Sequence, residues 1–342
     1  MAQTEQKLHI TWDDVWKNAL RFIFNVSYTI IFPMIFGMEN VLPSVALCVG
    51  LTMLPYSDLD VKPSLMAATT VLVNLGCGLV SELALSSPWI ALPVNLIFVS
   101  AMLFLTCEPK LTKPSISFLL CFVFCQSTPV PVERLPIRLL GLLVGSGITA
   151  LVTVLNWRRH GWGAHGRNLK RQIAHCFRNW PYVLRMSVGL AVAMFIGMSF
   201  HSPKPLWISI VVMSLTQMDF GETWERIKLR TIGTVIGVGL FIIVFGFIVP
   251  REYAMVAVLL LGYLSFFTSD YKHKTVVNAV SAINASLVLL DTGEAIEDRI
   301  IWLAAGIVIV LVIWVVEFGI RHIHRKRKGS PPQSGEAGQL PS

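Results

Sequence analysis

Chemistry-bearing residues concentrate between Lys204 and Gly237. An apolar run ends at Gln217, and a polar turn follows with Asp219, Gly221 and Glu222. Thr223 and Glu225 suit the opening turn of a helix, where unpaired N–H groups favour acids. That helix places Arg226 and Arg230 four residues apart, on one face. Two readings of Arg230 stand: a side chain snorkelling from a cytoplasmic helix end, or an anion ligand. Gly233 and Gly237 follow in a GxxxG pattern, which lets another helix approach closely.

Other polar residues fall inside apolar runs, where they are costly and so are candidates by default. Asn278, Ser281 and Asn284 lie within about 120° on one helix face. They form a polar stripe that lines a pathway or supplies helix–helix hydrogen bonds. Asn25, Asn74 and Asn95 are isolated and read as packing residues. Glu82, Glu317, Asp270 and Asp291 sit at the ends of apolar runs, where interfacial water accounts for them. Arg138 and Arg299 are placed at the outer mouth. Either they face a central axis as a positive ring attractive to anions, or they pair with Glu133 in one case and Glu297 or Asp298 in the other.

The elements that must position these residues are membrane helices. The chain has 342 residues, 54% of them hydrophobic and 14% charged, and its mean hydropathy is +0.65. Soluble domains carry about 25% charge. Apolar runs of about 17–25 residues recur along the chain, each able to cross a bilayer core as a helix. They predict an all-α integral membrane protein with about twelve transmembrane helices. The spans are near 19–37, 41–54, 63–82, 88–106, 114–128 and 135–156, then 182–200, 205–218, 228–249, 253–269, 274–290 and 299–320. The polar start, Met1 to Asp14, does not read as a cleavable signal peptide.

Loop charge sets the orientation. Lys62, the basic stretch from Arg158 to Arg178, Arg226, Lys228, Lys272, Lys274 and Arg321 to Lys328 fall on one side. The other side holds only Arg134, Arg138, Lys204, Arg251 and Arg299. The positive-inside rule then puts both termini in the cytoplasm. This bias explains the net charge of +8 without nucleic acid. The basic segments and their histidines suit anionic lipid head groups. The expected divisions are a cytoplasmic segment 1–18, a membrane half 19–156, a basic connector 157–181, a second half 182–320, and a basic then disordered tail 321–342.

The halves resemble one another. Leu20-Arg21 matches Leu184-Arg185, and Leu51 to Asp58 lies over Leu215 to Glu222. Arg138 with Gly145 matches Arg299 with Gly306 at identical spacing. Six spans per half give a parallel 6+6 repeat, not an inverted one. The six cysteines form no CxxC pair and read as small packing residues, with neither a metal site nor a disulfide framework.

Pro205-Leu206-Trp207, Leu215-Thr216-Gln217, Asp219-Phe220-Gly221, Glu225-Arg226 and the Arg230-x-x-Gly233-Thr234-x-x-Gly237 pattern resemble the fusaric acid resistance protein-like superfamily. It includes aromatic acid exporters and, more distantly, plant aluminium-activated malate channels. The resemblance is best over residues 184–316. The first half, with its Ala46 to Leu65 stretch, is similar to a membrane-domain variant of that group. There Arg230 aligns near Met66, so the arginine–glycine signature is missing. The resemblance implies a bacterial inner-membrane secondary transporter that exports small organic acids, driven by protons and working with a periplasmic membrane-fusion adaptor. Two other readings stay open: a passive anion channel on the same pseudo-dimer, or a scaffold for an adaptor complex. An oligomer is compatible with all three. No P-loop, HExxH or Ser/His/Asp cluster is present. The sequence therefore points to no enzyme, no cofactor, no catalytic residue and no metal.

Overall fold

The computed structural model describes residues 11–107, 114–200, 206–250, 253–267, 271–286 and 292–328. The tail from 329, Lys110, Lys113, Lys204, Arg251, Asp270, Asp291 and the side chains of Lys272 and Asn284 lie outside the described residues.

Each apolar run forms a helix. The first six are α1 (Trp12–Phe36), α2 (Val41–Met53), α3 (Pro63–Ala84), α4 (Pro88–Thr106), α5 (Ser115–Ser127) and α6 (Leu135–His160). A short helix in the connector, α7 (Leu169–Phe177), precedes the others: α8 (Trp180–Ser199), α9 (Leu206–Leu215), α10 (Phe220–Ile243), α11 (Ala254–Leu264), α12 (Tyr271–Ser286) and α13 (Thr292–Lys328). Among the described residues, eight helical stretches are long and apolar enough to cross a membrane, and α5, α9 and α11 are shorter apolar helices. Their outward faces carry leucine, isoleucine, valine and tryptophan in large numbers. A soluble protein does not expose so much apolar surface. The chain is an all-helical, multi-pass membrane protein.

Local signals set the helix ends. Thr11 and Asp14 form a reciprocal capping box at the start of α1. Pro63 and Pro88 occupy the first turns of α3 and α4, where a missing N–H costs nothing. Gly161, at φ 70°, ends α6 behind Arg158, Arg159 and His160, whose charges suit a helix C-terminus. Asp219 accepts a hydrogen bond from the Gly221 N–H and starts α10 at Phe220. The span expected from 228 thus begins two turns earlier. Hydropathy hid those turns because Glu222, Glu225, Arg226 and Lys228 are helical but polar.

Some helix pairs of the two segments are alike, though α2 packs on α5 and α3 on α4 with no comparable pairing, among the described residues, of α9 with α12 or α10 with α11. α1 packs on α2 as α8 does on α9, α2 on α6 as α9 on α13, and α3 on both α5 and α6 as α10 on both α12 and α13. Between the segments, α4 packs on α8 and α11 on α1. Two glycines sit at equivalent close approaches. A Cβ on Gly145 would lie 2.6 Å from Leu47 of α2, and one on Gly306 would lie 2.5 Å from Val211 of α9. Leu47 is four residues before Leu51, and Val211 is four before Leu215.

The connector is clasped to the first segment. The Arg167 N–H donates to Asp60 O at 2.8 Å, and Lys62 N–H donates back to Arg167 O at 3.1 Å. All six cysteines are buried, as packing residues should be.

Candidate functional site

Among the described residues, four arginines are buried between the helices: Arg138, Arg185, Arg230 and Arg299. An isolated buried guanidinium costs several kcal/mol, so each needs an account of its charge.

Arg138, on α6, is fully enclosed. It pairs with Glu82 of α3 at 3.1 Å. It also donates to Asn40 Oδ1, the Glu39 and Cys125 carbonyls and Thr128 Oγ1. Its counter-ion is therefore Glu82 and not Glu133, which lies in the turn before α6. α3 runs along α6, and Gly78 gives Leu142 room to approach. That contact brings Glu82 to the guanidinium. With five acceptors in place, Arg138 is locked into the packing.

Arg185, on α8, pairs with Glu317 of α13 at 2.6 Å and lies 4.0 Å over the Trp314 ring. It also donates to the Gln217 and Met218 carbonyls just beyond α9. A cation there complements the negative end of α9. Glu317 is held as well by Arg321.

Arg230 and Arg299 differ from these two. Among the described residues neither has a carboxylate partner. Arg230 donates to Ser214 Oγ of α9, and its Nε has no partner. Arg299 lies 4.8 Å over the ring of Trp207, also on α9, and its Nε is unpartnered too. The two charges are close enough to interact. One turn beyond Arg230, the Thr234 hydroxyl is buried and unpaired.

The depth of this pair follows from the helix starts. Arg230 stands ten residues into α10 and Arg299 seven into α13, so about 15 Å and 10 Å along their axes. The sequence reading put Arg230 at a cytoplasmic helix end and Arg299 at the outer mouth. α10 starts at Phe220, so Arg230 stands ten residues along it, with its side chain buried against α9. α9 links the two: Trp207 and Ser214 are seven residues apart, about 10 Å along the helix. The guanidiniums thus form a ladder along α9.

The other expected residues surround this ladder or lie away from it. Arg226 donates to the Ser214 carbonyl at 3.4 Å, and Gln217 Nε2 donates there at 3.0 Å. Asp219 caps α10, and Glu222 is exposed in its first turn. Gly233 and Gly237 are buried, and a Cβ on Gly237 would meet Ala279 of α12 at 2.6 Å. That contact turns Thr275, Ala279 and Ile283 inward, leaving Asn278 exposed and Ser281 half-buried.

Arg185, Trp207, Ser214 and Thr234 were not singled out as site residues from the sequence. An arginine inside an apolar run was a usable signal for Arg185. Its acid lies 132 residues away, a pairing no spacing rule reaches.

Residues 192–313 match the family model for fusaric acid resistance protein-like proteins. Over 112 residues the chain is 32% identical to the uncharacterized protein YhfK of Escherichia coli (strain K12). That alignment covers 32% of this chain and only 16% of the relative, so the chain spans a small part of that protein's length. No solved structure matches the chain. Over residues 192–313, the stretch that holds Arg230 and Arg299, the chain matches the fusaric acid resistance protein-like family that its motifs resemble.

Proposed function

We propose that the chain is a bacterial inner-membrane transporter that exports small organic acids, with the anion passing along α9 by way of Arg299 and Arg230. The supporting observation is the pair of buried guanidiniums with no acid against them. A carboxylate fits a guanidinium fork geometrically and cancels its charge. Trp207, beside Arg299, offers an aromatic acid a ring to rest on.

The reading includes twelve crossings in a parallel 6+6 repeat with both termini cytoplasmic. The corresponding helix pairs and the Gly145–Leu47 and Gly306–Val211 approaches support the repeat. Loop charge supports the orientation. The short helices α2 and α9 occupy matching positions, and interrupted helices at matching positions mark binding sites in repeat transporters. A periplasmic membrane-fusion adaptor and proton antiport belong to the proposal through the family resemblance.

A passive anion channel is the second reading, and one observation favours it. The acids deepest in the packing, Glu82 and Glu317, are both committed to arginines, which leaves neither free as an evident proton carrier. The test is uptake of labelled benzoate, hydroxybenzoate and malate into proteoliposomes, with and without a proton gradient. Gradient-dependent uptake supports antiport. Uptake that ignores the gradient supports the channel. A full-length, folded protein that moves none of a broad carboxylate panel would sink both.

A further inference from the structure

A groove of about 1220 Å³ runs between α8 and α13, outside the arginine ladder. Its walls are apolar, with Val188, Val192, Val308 and Val312 among them. Its mouth is not. Arg185, Glu317, Arg321 and His322 gather there beside Trp180. Glu317 accepts from both arginines, so two guanidiniums face one carboxylate and a positive charge is left over. α13 continues past the mouth into the sequence Arg325-Lys326-Arg327-Lys328.

A second surface meets this mouth. α7 docks by one face, with Gln172 donating to the Leu105 carbonyl and the Cys176 thiol to the Cys107 carbonyl. Leu169, Ile173 and Phe177, four residues apart, are exposed on another face. Lys170, Arg171 and Arg178 flank them, all exposed. An apolar stripe edged with basic residues is the pattern of a helix lying at the head-group level of a bilayer. Trp180, three residues past Phe177 in the chain, lines the groove.

We propose that the groove between α8 and α13 binds one anionic phospholipid, with its phosphate at Arg321 and His322 and its acyl chains along the valine wall. The groove opens on the basic side of the protein, so the lipid comes from the leaflet facing the cytoplasm under the positive-inside orientation. Charge selects the head group, because the mouth's excess is positive and the basic residues of α7 add to the positive character of this side. The wall accepts chains of any lipid, so the preference resides at the mouth. The assignment needs only a membrane-embedded chain and holds whether or not the chain transports.

The test uses the full-length protein in detergent, titrated with phosphatidylglycerol or phosphatidylcholine of equal chain length, with bound lipid counted by native mass spectrometry. Phosphatidylglycerol should bind at about fivefold to tenfold lower concentration, the effect of one or two basic contacts. The double substitution R321Q/H322Q should erase most of that preference while leaving phosphatidylcholine binding in place. Val312→Trp should reduce both lipids by filling the wall. Equal binding of the two lipids by the unaltered protein overturns the proposal without reference to any variant. So does a preference that survives R321Q/H322Q, or a dimer in which cross-links place a second copy's helix in the groove.

Discussion

Arg138 in the first segment and Arg299 in the second each stand seven residues before a glycine that meets α2 or α9. Their surroundings are opposite. Arg138 has Glu82 and four further acceptors. Arg299 has the Trp207 face, the charge of Arg230, and no acid among the described residues. The positions matched to Arg230 and Ser214 in the first segment are Met66 and Gly50, neither of them charged. The first segment closes its buried arginine on an acid. The second closes Arg185 on Glu317 but leaves Arg230 and Arg299 with no carboxylate among the described residues, the two charges that the proposed function gives to an anion. In a proposed repeat, that division separates a supporting half from a binding half.

The largest expected effect breaks the Arg138–Glu82 pair. Arg138→Gln leaves the half-buried Glu82 and four further acceptors without their partner, a loss of about 3 kcal/mol, the lower end for a buried pair. Thermal unfolding followed by size-exclusion chromatography should show a large fall in stability. The double variant E82Q/R138Q should recover much of it, since a neutral pair carries no unpaired charge. If the double variant is no better than the single, the ion pair is not what Arg138 contributes.

Next come the two ladder residues. Arg299→Gln and Arg230→Gln should each lower anion flux by about 10–100-fold, the value of one charge-assisted hydrogen bond of about 1.5–3 kcal/mol. Neither should lose stability, because each removes an uncompensated charge. A fold lost in Arg299→Gln would place it with Arg138 and erase the contrast.

The glycine approaches test the likeness of the segments. Gly145→Leu and Gly306→Leu should each destabilise by about 1–3 kcal/mol through overpacking, with similar unfolding shifts. A large shift in one and none in the other would break the correspondence.

The smallest expected change is at Ser214. Ser214→Ala removes the acceptor that Arg230 now uses, worth about 1 kcal/mol. The apparent affinity for the anion should rise a few-fold in a concentration series, as the guanidinium loses a competitor. A weaker affinity would mean that the hydroxyl orients Arg230 and does not compete for it.

The helices were legible in the sequence because bilayer thickness imposes a length and lipid imposes apolarity. All twelve apolar segments became helices. Helix starts were less legible where a polar turn precedes the apolar run. The Asp219 and Thr223 signal for α10 was present, yet Arg226 and Lys228 lowered the local hydropathy and shifted the expected span to 228. The arginine–glycine pattern falls on α10, but which buried arginines keep an acid could not be read. Glu82 and Arg138 are 56 residues apart, and their meeting depends on α3 running along α6. The polar stripe of α12 followed helical periodicity, but the Gly237–Ala279 contact decided which face turns inward.

The most direct test compares R230Q/R299Q with E82Q/R138Q in proteoliposomes, each loaded at equal folded protein. The readout is uptake of whichever labelled carboxylate the unaltered protein moves. The account predicts that uptake by R230Q/R299Q falls to the level of empty liposomes while E82Q/R138Q still transports. Uptake that survives the loss of both Arg230 and Arg299 would contradict it.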